Sequence, residues 1–229
     1  KTPPPTIHRT ITEKLGAYDD ILTDILVDGA SFISIVRKYC TTYLSAEEDR
    51  QSVISILRDV VISRKDLPEA ESQLLALPSL KKFSENLKTA SEKDCFQRHM
   101  RRYLNIYLPD CAFEFAGTSQ YTGATYEASI ISRKLIARGG EIRCLCGTRT
   151  VMTEAEEEDL NRRGNDFSVV ETSRNDAISF LFGPTCWLNH DCNANARLTP
   201  RGASGMVVIA TRDIEIGEEI TVTYDKGYF

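Results

Sequence analysis

Apolar residues first recur at helical spacing in Leu15, Tyr18, Leu22 and Ile25, and Gly29 then supplies a stop. This predicts a first helix behind a frayed, proline-rich arm, KTPPPTIHRT. Ser45 followed three residues later by Glu48 is a capping-box pattern, and Val53, Ile54, Leu57, Val60 and Val61 extend it as an amphipathic stripe. Pro68 and Pro78 punctuate shorter helical pieces. From Ser91 to Leu108, Phe96, Met100, Tyr103, Leu104 and Tyr107 share one face before Pro109 ends the run. Everything up to Pro109 therefore reads as helical.

Beyond Pro109 the period changes. Short runs such as AFEF, GEIRCLCG, DFSVV, ISFLFG, MVVIA and EEITVTY are separated by Gly, Asn, Asp and Pro, the punctuation of strands. One exception is Thr153 with Glu156, a second capping box heading the acidic run EAEEEDL, which predicts a short helix with a solvated face. No internal repeat or low-complexity tract interrupts the pattern. The expected fold class is α+β: a helical N-terminal domain, 1–109, followed by a mostly β domain of short strands, 110–229. Short connections leave open whether the helical half folds alone.

Composition narrows the class. A chain of 229 residues with 41% hydrophobic residues can bury a core. No apolar run approaches the roughly 18 residues of a membrane span, and the start lacks the apolar stretch of a secretion signal, so a soluble intracellular protein is expected. Seven cysteines, an odd number without a regular framework, argue for reduced thiols and hence cytosol or nucleus. A formal charge of −5 and a pI near 5.4 disfavour gripping nucleic acid through net charge, although Arg98, Arg101 and Arg102 could form a local basic patch. A basic peptide is the easier partner to reconcile.

Candidate chemistry concentrates in WLNHDCNAN, Trp187 to Asn195, directly after the apolar run ISFLFG and Gly183-Pro184. Polar groups crowded after a buried strand can line a site; they can equally form a turn in which Asn189 and Asp191 bond their own backbone. His190 could be a general base, yet neither a GxSxG elbow nor an HExxH helix accompanies it. Cys144-x-Cys146 lacks a second pair at zinc spacing, and strand alternation would point both thiols to one face, so they read as core or strand-face cysteines.

NHDCNAN resembles the NHxCxPN signature of SET-domain lysine methyltransferases, and GEEITVTY, Gly217 to Tyr224, resembles their GEELxxDY signature, in the right order. IARGGEI, Ile136 to Ile142, and GNDFSV, Gly164 to Val169, are similar to further strands of that family. In the helical half, QRHMRRYLNIYLPDCAFEF and AYDDILTDILVDG resemble the N-terminal domain of the enzymes that methylate lysine-20 of histone H4, specifically their fungal branch. The resemblance implies methyl transfer from S-adenosylmethionine to a protein lysine, with the histone H4 tail and nucleosome as partners. It implies a nuclear, chromatin location, no membrane and no strong sequence-specific nucleic-acid binding. On the same basis Tyr224 is the catalytic tyrosine. Asn189 through its side chain and His190 through its backbone would hold the cofactor, and Tyr121, Tyr126, Glu127 and Ala128 fall in the first cofactor loop. Trp187, Ser168 and Val222 fall in the substrate pocket.

Departures from the family pattern shape the expectation. The first cofactor loop reads YEAS rather than a glycine-rich GxG, and glycine permits a closer backbone approach. Ala194 replaces a proline, which removes a φ constraint but no reactive group. Val222 and Ser168 stand where many relatives carry larger aromatic residues, which implies a pocket open to an already methylated lysine unless neighbouring bulk refills it. Cys192 matches a cysteine that binds zinc together with a Cys-rich post-SET segment absent from this sequence; it is either such a ligand, with zinc present only if that segment is, or a buried thiol. The rival functions are methylation of a non-histone protein and a catalytically silent histone-tail binding module, against which Tyr224 and Asn189 speak.

Overall fold

The computed structural model describes residues 10–31, 38–40, 47–118, 127–172 and 177–224. Helix α1, Ile11–Thr23, opens with a capping box: the Thr10 hydroxyl accepts from the Glu13 N–H, and the Glu13 carboxylate accepts from the Thr10 N–H. Gly29 does not stop it. The chain passes through a π turn at Asp24–Asp28 into α2, Gly29–Ser31, with Gly29 in ordinary helical conformation and its N–H bonded to the Asp24 carbonyl. The wider i→i−5 bonding lets the helix run through a residue whose lack of a side chain merely permits a stop.

Helix α3, Glu47–Ile56, also ends in a π turn, Leu57–Ile62; Ser45, the first residue of its capping pattern, lies outside the described residues. Val53, Leu57, Val60 and Val61 of its stripe are buried, and Ile54 is part-buried. Pro68 and Pro78 open rather than break helices, in the first turns of α4, Leu67–Ala76, and α5, Pro78–Glu85, where a missing N–H costs nothing. Helix α6, Ala90–Leu104, carries a full capping box from Thr89 and Glu92 and buries Phe96, Met100, Tyr103 and Leu104 completely.

Strands β1, Phe113–Thr118, and β2, Glu127–Ser132, pair antiparallel. A sheet of order β4-β5-β3-β8-β7 follows, built from β3 Glu141–Val151, β4 Val169–Thr172, β5 Ala177–Phe182, β7 Ala196–Arg201 and β8 Gly205–Ala210. Between β3 and β4, helix α7, Glu154–Arg163, has the predicted Thr153–Glu156 box and closes at Gly164 with φ 65°. Two short strands, β6 Asn189–His190 and β9 Thr221–Val222, pair parallel.

Sequence periodicity misses β2 and β7. The first begins in what the family resemblance presents as a cofactor loop, yet Glu127 and Ala128 already stand opposite Thr118 and Gly117. The second contains Pro200, which cannot donate to a ladder, but β7 is an edge strand and tolerates it. Cys144 and Cys146 do not share a face by simple alternation, because a bulge with Cys144 at φ 72° shifts the register between Glu141 and Cys146. Burial pushes both thiols up, as suits packed, reduced cysteines.

One hydrophobic cluster reaches from Leu15 to Val222, so helices and strands share a core across Pro109. Tyr39 sets its ring edge-on to Phe180 and Phe182 of β5, and Gly16 makes room for it: a Cβ at Gly16 would lie 2.3 Å from the Tyr39 ring. Among the described residues no helix is long and apolar enough to cross a membrane.

Candidate active site

The polar segment is delivered by a tightly built turn. Strand β5 ends just before Gly183, whose φ of 92° an L side chain rarely adopts, and a single 3-10 turn, Pro184–Trp187, leads to Leu188 and β6. The turn packs so closely on β3 that a Cβ at Gly147 would sit 2.0 Å from the Thr185 hydroxyl and 2.7 Å from the Phe182 carbonyl. Trp187 is buried and stacks on Phe167, with ring centroids 5.6 Å apart and planes 12° from parallel.

Strand β9 locks β6 from one side. Asp191 N–H donates to the Val222 carbonyl, and the register pairs Asn189 with Thr221 and His190 with Val222. In a parallel pair this bonds the main chain on either side of His190 to β9 and directs the His190 N–H and C=O the other way. Asn195 reinforces the join: its carbonyl oxygen accepts from Thr221 N–H, and its amide donates to the Glu219 carbonyl and the Glu218 carboxylate. Glu218 also pairs with Arg212, whose hydrogen bond holds that carboxyl down at about 2.

Three side chains define the chemistry available at the surface of this join. Asn189 donates both amide hydrogens, to the Ala128 carbonyl at 3.1 Å and the Glu219 carboxylate at 2.8 Å, which ties β6 to β2 and fixes the Asn189 Oδ1 as the outward acceptor. His190 Nδ1 accepts the Tyr224 N–H at 2.8 Å, and its Nε2 lies 3.3 Å from the Cys192 sulfur. The Tyr224 hydroxyl donates to the Leu188 carbonyl at 2.6 Å, while its ring lies against His190. A hydroxyl oxygen and a carbonyl oxygen thus converge at one part-buried spot.

Of the residues singled out from sequence, Ala128, Asn189, His190, Val222 and Tyr224 meet at this join, and the exposed Cys192 flanks it. Trp187 lies beneath it in the core. Ser168 is buried, its hydroxyl bonded to the Leu181 carbonyl at 2.8 Å. Tyr121 and Tyr126 lie outside the described residues, and Glu127 is described only in its strand backbone. Sequence reasoning missed Glu219 and Asn195, which hold the join together, and Phe167, which stacks on Trp187. Glu219 and Asn195 stood inside quoted motifs; the partnership between them was the missing information.

The family model described as the SET domain matches residues 29–225. The chain belongs to the SET domain family. It is 48% identical over 96% of its length to the histone-lysine N-methyltransferase set9 of Aspergillus terreus, and 46% identical over 94% to that of Neurospora crassa. It covers 35% and 28% of those proteins, so it spans about a third of the curated relatives it matches. Among solved structures, the Neurospora SET domain protein DIM-5, a histone lysine methyltransferase, overlaps 50% of this chain and 52% of its own, with 17% identity and a TM-score of 0.38.

SET methyltransferases use S-adenosylmethionine, and the donor set at β6 fits such a group. Asn189, whose amide is held by the Ala128 carbonyl and the Glu219 carboxylate, offers its Oδ1 as a fixed acceptor, and the main chain of β6 would lie beside the adenosyl group. Zinc is a different matter. Cys192 is one thiol where a closed site needs about four ligands. Among the described residues no three His, Cys, Asp or Glu side chains converge as a metal site. The described residues by themselves do not build a zinc centre.

Proposed function

We propose that this chain is the catalytic SET region of a nuclear histone-lysine methyltransferase that acts on lysine-20 of histone H4 in nucleosomes and adds methyl groups beyond the first. The observation that carries this reading is the Tyr224 hydroxyl held 2.6 Å from the Leu188 carbonyl at the β6–β9 join. S-adenosylmethionine, when bound, supplies a methyl group already activated on a sulfonium. The chain's own residues then have three tasks: hold the adenosyl group, align a lysine, and keep that lysine neutral.

Asn189 and the His190 main chain serve the first task. For the second, the Tyr224 and Leu188 oxygens attract both amine hydrogens and a polarised methyl group, and their mutual hydrogen bond fixes where that attraction is centred. Neutrality follows from burial, since a lysine head group with an ordinary pKa of about 10.4 loses its proton more readily when drawn out of water. Alignment in a dry site does the remaining work.

Reaction beyond the first methyl is supported by what the pocket residues lack. Val222 is aliphatic and 1% exposed, and the Ser168 hydroxyl is committed to the Leu181 carbonyl. Neither offers a hydroxyl that would hold water beside the lysine nitrogen and oppose another methyl group. The histone H4 assignment rests on the helical half, whose resemblance to the lysine-20 enzymes accompanies 48% identity to a set9 protein over most of the chain.

The test is transfer of labelled methyl groups from S-adenosylmethionine to nucleosomes and to H4 peptides carrying zero, one or two methyls at lysine-20. Label on lysine-20, with the monomethyl peptide accepted, is the expected result. Label confined to the unmethylated peptide removes the multiple-methylation reading, and none on H4 removes the substrate.

A further inference from the structure

The helical half places a carboxylate directly behind the active-site turn. Asp19, on α1, is 5% exposed, and its Oδ1 accepts from His99 Nε2 at 2.7 Å, the Tyr103 hydroxyl at 2.5 Å and the Gly183 N–H at 3.1 Å. Its other oxygen lies 3.9 Å from the Cys186 sulfur. Burial pushes the Tyr103 phenol and the Cys186 thiol well up, which keeps both protonated and able to donate. His99 and Tyr103 belong to α6, while Gly183 leads into the turn Pro184–Trp187 and Cys186 lies within it, just before Trp187 and Leu188. One side chain therefore binds two helices to the turn whose Leu188 carbonyl receives the Tyr224 hydroxyl.

Gly183 makes the contact specific. Its φ of 92° aims the N–H where β5 gives way to the turn, and a Cβ there would press within 3.2 Å of the Cys146 carbonyl. The next residue, Asp20, repeats the arrangement: its two oxygens accept the Tyr39 N–H at 2.6 Å and the Cys40 N–H at 2.5 Å, and Tyr39 packs on Phe180 and Phe182 of β5. Adjacent buried carboxylates on one helix thus hold both the end of β5 and the ring that covers it.

We propose that Asp19 is a positioning residue for the methyl-transfer site, acting through Gly183 and the turn Pro184–Trp187 to set where the Leu188 carbonyl meets the Tyr224 hydroxyl. This rests on the methyltransferase reading, and it gives the helical half a part in the chemistry. A polar group so thoroughly saturated is built for fixed geometry rather than for proton traffic.

The sole tryptophan, Trp187, lies in the turn itself and reports on it directly. In the full chain, Asp19→Asn is compared with wild type for kcat and KM of methyl transfer to an H4 peptide, and for Trp187 emission without cofactor or peptide. The expected result is unchanged far-ultraviolet dichroism, a shifted Trp187 emission, and a kcat lower by about ten- to a hundredfold with little change in peptide KM. Native emission together with native kcat in the folded variant overturns the proposal. If Asp19→Asn does not fold, His99→Leu removes one donor to Asp19 while leaving the Gly183 contact, and carries the same test: a loss of about threefold in kcat with altered emission supports it, and no change in either overturns it. Absence of transfer by wild type would refute the methyltransferase reading instead, and the emission comparison would still decide whether Asp19 holds the turn.

Discussion

Two clusters in this molecule are made from nearly the same side chains. Around Asp19 stand His99, Tyr103 and Cys186; around His190 stand Tyr224, Cys192 and its chain neighbour Asn189. In the first, His99 is 2% exposed, Tyr103 is fully buried and the carboxylate is surrounded by donors. In the second the rings are part-buried, the thiol is exposed, and the donors of Asn189 are committed so that its acceptor faces outward. Residue type does not distinguish a structural node from a candidate reactive surface; saturation and access to solvent do.

The most disruptive way to break this comparison is to strike the turn that joins the clusters. Gly147→Ala would force a Cβ against Thr185 and the Phe182 carbonyl, and should cost about 3 kcal/mol or more in urea unfolding while disabling both regions. A variant of native stability would show that the turn can move away from β3.

Acidity separates the regions next. Burial raises Asp20 from 3.8 to about 7, against the opposing pull of the Tyr39 and Cys40 amides, so folding favours its protonated form. Its stabilising contribution is full below its unfolded pKa and is lost as pH rises through about 7. Glu218, at the join, has the opposite sign: Arg212 lowers it from 4.5 to about 2, giving stability that is present above the unfolded value and lost as pH falls toward 2. Unfolding free energies at about pH 5 and about pH 8 should decrease with pH for wild type, with Asp20→Asn flattening a fall on the order of 2 kcal/mol. An identical slope in the variant would remove Asp20 as its source.

A smaller effect should be confined to the open cluster. Asn189→Ala removes the outward Oδ1 and the ties to Ala128 and Glu219, and should weaken S-adenosylmethionine binding about tenfold by calorimetry while leaving Trp187 emission native. Native affinity would take Asn189 out of the cofactor site.

Much of this arrangement was legible in the sequence because local signals carried it. Thr153 with Glu156 announced a helix that the structure caps as expected, and Phe96, Met100 and Tyr103 announced the buried face of α6. Gly29 misled because the π turn before it absorbs the stop, and β7 was missed because an edge strand accepts Pro200. The pairing of β6 with β9, the Asn195–Thr221 bond and the reach of Asp19 to Gly183 join residues remote in sequence, and no periodicity encodes them. The two SET signatures named the residues of the open cluster without showing that Leu188, which stands just before NHDCNAN, supplies the partner oxygen to Tyr224.

In the proposed function the Tyr224 hydroxyl, set against the Leu188 carbonyl, is the catalytic group of a lysine methyltransferase. Its most direct test is single-turnover transfer of labelled methyl from S-adenosylmethionine to an H4 peptide by wild type and by Tyr224→Phe, with cofactor affinity measured on both. Wild type should transfer the label, and the variant should lose about a hundredfold or more at native cofactor affinity. Equal transfer rates in the two proteins would contradict it.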